Sequence, residues 1–310
     1  MAGPEISVVI PTYRRPQLLA GALASLSAQD IDSARFEVVV ADDGSGDATP
    51  QVVEEVAAAR GNVKLVSLDR NSGPAAARNR GVAAATAPLI LFIDDDIEAI
   101  PGLVRTHLTT HGRAGDPKFG VLGLVRWSGR LRITRFMRWL DRSGHQFAYD
   151  TWLFPGPVDP PYGAFYTANL SMHRVLFEEV GGFDERFPYA SFEDLELAWR
   201  LSQRGFRLEY HPEAVAFHAR PVDLATFRRR TANDAESAQI LRQVQPDFPL
   251  DEGPRQHGYL RRRRRLLLQA VAPLADLVGR SDVRARWYQA EVAAAYREGM
   301  ARAAGTLGPK

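Results

Sequence analysis

Residues 89–102 read LILFIDDDIEAIPG: an apolar run is closed by Asp94, Asp95 and Asp96 before the chain turns at Pro101-Gly102. A short unbroken apolar run bounded by turn residues reads as a buried strand. Two unit charges ~4 Å apart repel by about 4 kcal/mol at the effective dielectric of a protein surface. One Asn or Gly would end a strand without that repulsion. The carboxylates therefore either fan out into solvent or have something positive between them. Alternate residues at a strand end point the same way, so Asp94 and Asp96 are expected to face one site while Asp95 faces elsewhere. Hard divalent ions such as Mg²⁺ and Mn²⁺ suit such a carboxylate pair.

Outward from this stretch, the same β-branched character recurs in ISVVI (6–10), FEVVVA (36–41) and VKLVSL (63–68), with PLILFI (88–93) as the fourth strand. Between them lie the helical stretches PQLLAGALASLSAQ, ATPQVVEEVAAAR and PAAARNRGVAAA, with Pro16 and Pro74 suited to first-turn positions. Strand–helix alternation predicts an α/β fold with parallel strands, right-handed crossovers and helices on both faces. Ligands in such folds sit beyond the carboxyl ends of the strands. Those ends carry Pro11-Thr12-Tyr13, Asp42-Asp43-Gly44-Ser45, Asp69 to Gly73 and the three aspartates.

Farther along, 119–126 reads as a strand, 131–142 as a basic amphipathic helix, and 143–163 as a substrate-facing loop rich in Pro, Gly and aromatics. Residues 166–187 read as strand, helix and turn. Residues 191–205 read as a helix that Gly205 ends, followed by two short strands, FRLEY and AVAFH. From about 221 the chain becomes Arg- and Ala-rich helix. The expected division is 1–220, with halves meeting near 118/119, and a helical extension over 221–310.

The 310 residues are 45% hydrophobic and 25% charged, as in a soluble globular protein with a large core. There is no cysteine, which excludes disulfides and thiolate metal sites. No run approaches ~20 apolar residues, and the start shows no charged leader with an apolar core. A cytoplasmic protein is expected. The net charge is +2 with a pI near 9.0, and five arginines stand together at 261–265.

In ADDGSGD (41–47) the plain reading is a turn in which Ser45 or Asp47 caps the next helix. The functional reading has a carboxylate accepting hydrogen bonds from a nucleotide base or ribose, with Asp43 the first choice because it lies farther beyond the strand than Asp42. LDRNSGPAAARNRG (68–81) leads from a loop into a helix start suited to anions, with Arg78 and Arg80 adding positive charge. It is neither a P-loop nor a Gly-x-Gly-x-x-Gly loop. In FEDLELAWR (192–200), Glu193 and Asp194 sit at a helix start, where acids are favourable in any case. A carboxylate there could also take a proton from an attacking hydroxyl. His211 and His218 bracket HPEAVAFH. A structural role is the plain reading for His218, and a nitrogen ligand to an Asp-bound metal is the alternative.

Taken in order, VVIPTYRRPQLLAGALASL, VVVADDGSGDAT, NSGPAAARNRG, LILFIDDDIEAIPGLV, ANLSMHRVLFEEVGGFDERF and FEDLELAWRLSQRGFRLEYHPEAVAFH resemble the family 2 glycosyltransferases over roughly residues 5–220. The resemblance implies a GT-A fold and an enzyme that moves a sugar from a nucleotide diphosphate to an acceptor hydroxyl with inversion. It implies Pro11, Thr12 and Tyr13 in the nucleotide pocket, Asp43 on base or ribose, and Arg78 on the nucleotide side. Asp94 and Asp96 become the DxD metal pair for Mn²⁺ or Mg²⁺, with Asp95 bordering the donor sugar. Asp194 becomes the base, Glu193 lies beside the acceptor, and residues 181–184 shape the acceptor side. Processive synthases carry Gln/Arg-x-x-Arg-Trp and membrane helices. Here Trp199-Arg200 runs in the opposite order, which implies single-sugar addition in cell-envelope polysaccharide, glycolipid or glycoconjugate synthesis.

Two rivals stand beside this reading: a metal-dependent nucleotidyltransferase, which would attack phosphorus, and a non-catalytic sugar-nucleotide module. The expected partners are the donor and a carbohydrate or lipid-linked acceptor, and a homo-oligomer is compatible with the tail. RRRRRLLLQAVAPLADLVG is interrupted by Pro273, and Val283, Trp287, Ala290 and Ala294 share a helical face. The tail is read first as a packed appendage and second as a peripheral contact with an anionic membrane through Arg261–Arg265. Nucleic acid is not expected, since no recognition motif accompanies the arginines.

Overall fold

A computed structural model describes residues 3–147, 149, 151–249, 262–277 and 281–306. The chain divides into two compact units, Met1–Ile133 with Ser143–Pro221, and Thr134–Arg142 with Val222–Lys310.

The first unit is built on one sheet. Its strands are β1 (Ile6–Thr12), β2 (Phe36–Asp42), β3 (Val63–Ser67), β4 (Leu89–Ile93), β5 (Ile97–Ala99), β6 (Phe119–Trp127), β7 (Gly156–Val158), β8 (Asn169–His173) and β9 (Arg207–His218). Their spatial order is β3-β2-β1-β4-β8-β6-β9-β5, with β7 paired to β9. The first four are parallel, as the alternation predicts. The intervening helices are α1 (Pro16–Ser27), α2 (Thr49–Arg60) and α3 (Pro74–Ala84). The chain steps outward from β1 to β3 and then returns through α3 to the other side of β1. Right-handed crossovers therefore put α1 and α2 on one face and α3 on the other. The order reverses between β1 and β4, and a crevice opens at such a switch point beyond the strand ends. β1 ends there in Thr12, and β4 ends there in the aspartates. Every residue of β4 is buried, as its unbroken apolar run requires.

Beyond β4 the sheet becomes mixed: β8 runs antiparallel to β4 and β6, while β6 and β9 are parallel. The helices of this half are α4 (Leu103–Ala114), α6 (Arg174–Glu179) and α7 (Glu193–Ser202). Two differences from the sequence reading stand out. FRLEY and AVAFH form one continuous strand, because the register jumps between Gly123 and Leu124 of β6, leaving Pro212 opposite no ladder partner. The three-residue β5 was not expected. It pairs Ile97 with His218 and so brings the end of β9 against the aspartates.

The second unit holds α5 (Arg135–Ser143 by its helical bounds), α8 (Leu224–Val244), α9 (Arg262–Leu277) and α10 (Ser281–Thr306). Phe136 stacks near Trp139 and meets Phe227 and Tyr288 edge-on. Arg228 is paired with Glu291 and Glu298. α8 and α10 approach so closely that a Cβ on Gly299 would lie 2.1 Å from the Ala232 carbonyl oxygen. Pro273 does not interrupt α9. It lies on the exposed side of the helix, where water can satisfy the carbonyl freed by its missing N–H. The buried face of α10 includes Ala290 and Ala294, and extends to Tyr288, Val292 and Ala295. Among the described residues, no helix is long and apolar enough to cross a membrane.

Candidate functional site

The positive partners of the three aspartates are three arginines from distant parts of the chain. Arg78 on α3 donates to Asp94 Oδ1 at 2.9 Å. Arg15, just before α1, donates to Asp95 Oδ1 at 3.0 Å and lies 3.7 Å from Asp96 Oδ2. Arg220, after β9, donates to Asp96 Oδ2 at 2.8 Å. Strand-end alternation does not extend into this stretch. Ile97 N–H donates to the Asp94 carbonyl and closes a turn, so Asp95 and Asp96 share Arg15 while Asp94 faces Arg78. Thr12 Oγ1 also donates to Asp95 Oδ2 at 2.9 Å, joining β1 to β4 across the switch point.

Burial raises the Asp95 carboxyl to about 6, with Arg15 opposing and Asp96 adding to the rise. Burial also acts to raise Asp96, but His218, Arg220 and Arg15 outweigh it and hold that carboxyl below its ordinary value. His218 is itself lowered by burial against the pull of Asp96. Its Nε2 lies 3.8 Å from Asp96 Oδ1, its Nδ1 accepts the Arg220 N–H at 3.4 Å, and its ring meets Trp127 edge-on.

Arg78 joins the aspartates to the start of α7. Its second guanidinium nitrogen donates to Glu193 Oε1 at 2.8 Å, and Phe183 lies under the guanidinium at 5.5 Å. Burial disfavours the Arg78 charge, but Asp94 and Glu193 outweigh it and raise its pKa. Glu193 is buried and its carboxyl is raised by burial, with Arg78 opposing. Asp194 is only partly buried, and its Oδ1 accepts the Leu195 N–H at 2.8 Å. Both acids sit in the first turn of α7, where the orphan N–H groups favour negative charge. Phe192, which precedes them, has φ 67°, and Arg14 beside Tyr13 has φ 53°. Bulky residues in the left-handed region are uncommon and cluster at functional sites.

In the loop after β2, Asp47 Oδ1 accepts from Thr49 N–H at 2.9 Å at the start of α2, as the plain reading expects of Asp47, while Ser45 bonds elsewhere. Asp42 accepts from the Ser45 side chain and N–H, whereas Asp43 reaches across to accept from Ser72 N–H at 2.7 Å and Gly73 N–H at 2.9 Å. Burial raises the Asp43 carboxyl against those two bonds. Arg14 ties the β1 loop to the Ser45 carbonyl at 3.0 Å. Pro11, Thr12, Tyr13, Asp43, Arg78, Asp94, Asp95, Asp96, Glu193, Asp194 and His218 thus all fall in the first unit. Glu193, Arg78 and Asp94 form one bonded chain, and Thr12, Asp95, Arg15 and Asp96 form another.

Sequence reasoning missed Arg15, Arg220 and Arg200. Arg200 pairs with Glu196 and donates to the carbonyls of Val180 and Gly182, holding the Gly-Gly-Phe-Asp loop. Its i,i+4 spacing from Glu196 was a usable signal. Arg15 and Arg220 had only their nearness to motif residues.

Among the described residues, no group of three His, Asp or Glu side chains forms a metal cage. Among the described residues, Asp94 Oδ2 and Asp96 Oδ1 accept no hydrogen bond, with His218 Nε2 3.8 Å from Asp96 Oδ1. That donor set fits a hard divalent cation completed by substrate phosphate and water, rather than one held by protein alone.

The sequence model described as glycosyl transferase family 2 matches residues 7–166. A validoxylamine A glucosyltransferase from Streptomyces hygroscopicus subsp. limoneus is 33% identical over 242 residues, covering 70% of this chain and 52% of the relative. A pre-mycofactocin glycosyltransferase from Mycobacterium tuberculosis is 29% identical over 250 residues, covering 78% and 48%. The chain spans about half the length of these curated relatives. Among solved structures, residues 1–349 of S. aureus TarS superpose with a TM-score of 0.58 at 18% identity, covering 98% of this chain and 92% of that one. The mannosyltransferase PcManGT from Pyrobaculum calidifontis, in complex with GDP-Man and Mn²⁺, superposes with a TM-score of 0.57 at 21% identity, covering 100% and 77%. The shared architecture is the GT-A fold.

Proposed function

Because the chain belongs to glycosyl transferase family 2, we propose that it transfers one sugar at a time from a nucleotide-diphosphate donor to an acceptor hydroxyl, with inversion at the anomeric carbon. The observation that carries this reading is Arg78. One buried guanidinium holds Asp94 at the donor crevice and Glu193 at the start of α7, which fixes a diphosphate-facing carboxylate relative to a helix bearing a candidate base. The GDP-Man and Mn²⁺ bound by PcManGT support a donor and an ion of this chemistry.

In this reading Pro11, Thr12 and Tyr13 line the nucleotide pocket. Asp43 uses its remaining lone pairs for base or ribose while its bonds to Ser72 and Gly73 fix the third loop. Asp95 is too buried to reach far into the crevice, so it borders the donor sugar by orienting Thr12 and Arg15. Asp94 and Asp96 would hold a divalent cation, with His218 Nε2 beside Asp96. When bound, such a cation stabilises the charge of the departing diphosphate. Arg15 and Arg220 keep Asp96 ionised for that role. Asp194 takes the acceptor hydroxyl proton as its oxygen attacks the anomeric carbon from the face opposite the nucleotide. Glu193, clamped by Arg78, sets the position of Asp194 one residue along.

The acceptor is a carbohydrate or a lipid-linked saccharide, and the 1–220 segment acts as the catalytic domain with 221–310 as its extension. The test is incubation with a panel of nucleotide sugars and a soluble acceptor glycoside. Nucleoside diphosphate should be released in step with sugar transfer. EDTA should abolish transfer and Mn²⁺ or Mg²⁺ should restore it. Full turnover in EDTA would overturn the carboxylate–cation assignment.

A further inference from the structure

The charge of the chain is divided unevenly. The second unit carries 19 Lys/Arg against 11 Asp/Glu, a net +8, so the first unit carries −6 within the chain total of +2. The densest part of that excess is Arg261–Arg265. Arg261 lies outside the described residues, and Arg262 to Arg265 form the first turn of α9. Immediately after them, Leu266, Leu267 and Val271 are 52%, 61% and 38% exposed. These are large apolar side chains on a helix, with Ala270 and Pro273 exposed alongside them.

The helical spacing makes this one continuous face. Leu266 and Ala270, and Leu267 and Val271, are i,i+4 pairs. On the other side Leu268 and the fully buried Ala272 form the inward pair, and α9 packs against α10. By the same spacing Arg262 and Arg263 stand one turn before Leu266 and Leu267. A run of arginines leading into an exposed apolar face, on a helix too short and polar to span, has the pattern of a helix lying in a membrane interface. Anionic headgroups attract the basic turn while the apolar face enters the acyl boundary.

We infer that α9 docks the second unit on an anionic lipid surface through Leu266, Leu267 and Val271, drawn there by the net +8 of that unit. The helix lies on the lipid surface, and among the described residues no helix is long and apolar enough to cross the bilayer. This surface is independent of the sugar-transfer reading, since none of its residues belongs to the donor or acceptor site.

The test is co-sedimentation of the full chain with phosphatidylcholine vesicles with and without about 30% phosphatidylglycerol, at low and high salt. The parent should bind the anionic vesicles and not the neutral ones, and salt should weaken binding. Replacing Arg262–Arg265 by Gln should reduce binding at least tenfold. The variant Leu266→Gln/Leu267→Gln/Val271→Gln should lose a similar factor while keeping its helical circular dichroism and its transfer to a soluble acceptor. A parent that stays in the supernatant with anionic vesicles overturns the inference. So does undiminished binding by the Leu/Val variant, particularly if a short DNA duplex competes equally with both proteins, because a bare polyanion contact needs no apolar face.

Discussion

Each of the three aspartates meets a guanidinium: Asp94 that of Arg78, Asp95 that of Arg15, and Asp96 those of Arg220 and Arg15. Asp96 is ion-paired and buried beyond the end of β4, Glu193 is locked on Arg78, and Asp194 is the more exposed acid of α7. Asp194→Asn keeps size and shape but cannot accept a proton. kcat should fall by about 10²–10⁴-fold, the usual worth of a general base, with donor Kd nearly unchanged. Asp96→Asn should weaken cation-dependent donor binding as well as rate. Glu193→Gln is the comparison: a larger loss of kcat there than in Asp194→Asn would move the base by one residue. Titration calorimetry for donor Kd and single-turnover rates for chemistry distinguish these outcomes.

Elements transmit these positions. α3 carries Arg78, and one turn later Gly81 lies against β1 and β2. A Cβ at Gly81 would stand 2.5 Å from Val9 Cγ1 and 3.4 Å from Ala41 Cβ. Gly81→Ala should therefore push α3 off the sheet, lower stability by about 1–3 kcal/mol, and reduce turnover through the displaced Arg78. Denaturant unfolding checks the first part, and parent-like stability would show that α3 can shift freely. α4 gives a pH dependence. His107 bonds Ser171 and Asn169, and His111 bonds Ser171, all buried between α4 and β8. Burial lowers His107 to about 4 and His111 to about 3. Between those values and the ordinary 6.5 the unfolded chain binds protons that the folded chain does not. Stability should therefore fall as pH drops below about 6.5, by up to about 1.4 kcal/mol per pH unit for each histidine. Unfolding at pH 7 and pH 5 measures this. The double variant His107→Gln/His111→Gln should show a shallower slope, and an unchanged slope would refute the assignment.

At the scale of the whole molecule, the legible parts were those written locally. The four parallel strands are short apolar runs bounded by turn residues, so their carboxyl ends and the aspartates beyond them could be located from the sequence, whereas the order β3-β2-β1-β4 that makes the switch point came from the fold. β5 was not legible, because three residues form a strand only when β9 is present to pair with them. The pairing of Arg15 and Arg220 with the aspartates was hidden for the same reason: the partners lie 80 and 124 residues apart. Strand alternation misdirected Asp95 and Asp96 because the chain already turns at Asp94. The crevice beyond β1 and β4 was thus readable as a place in the fold, while the counter-charges of its aspartates depended on tertiary contacts.

Inverting transfer of a single sugar from a nucleotide diphosphate is read out by the anomeric configuration of the first-formed product. Proton NMR during turnover with an α-linked nucleotide sugar and a soluble acceptor should show one β-linked product per nucleoside diphosphate released, with no longer oligomer following. A retained α-linkage, or release of pyrophosphate in place of nucleoside diphosphate, would rule out inverting sugar transfer by this protein.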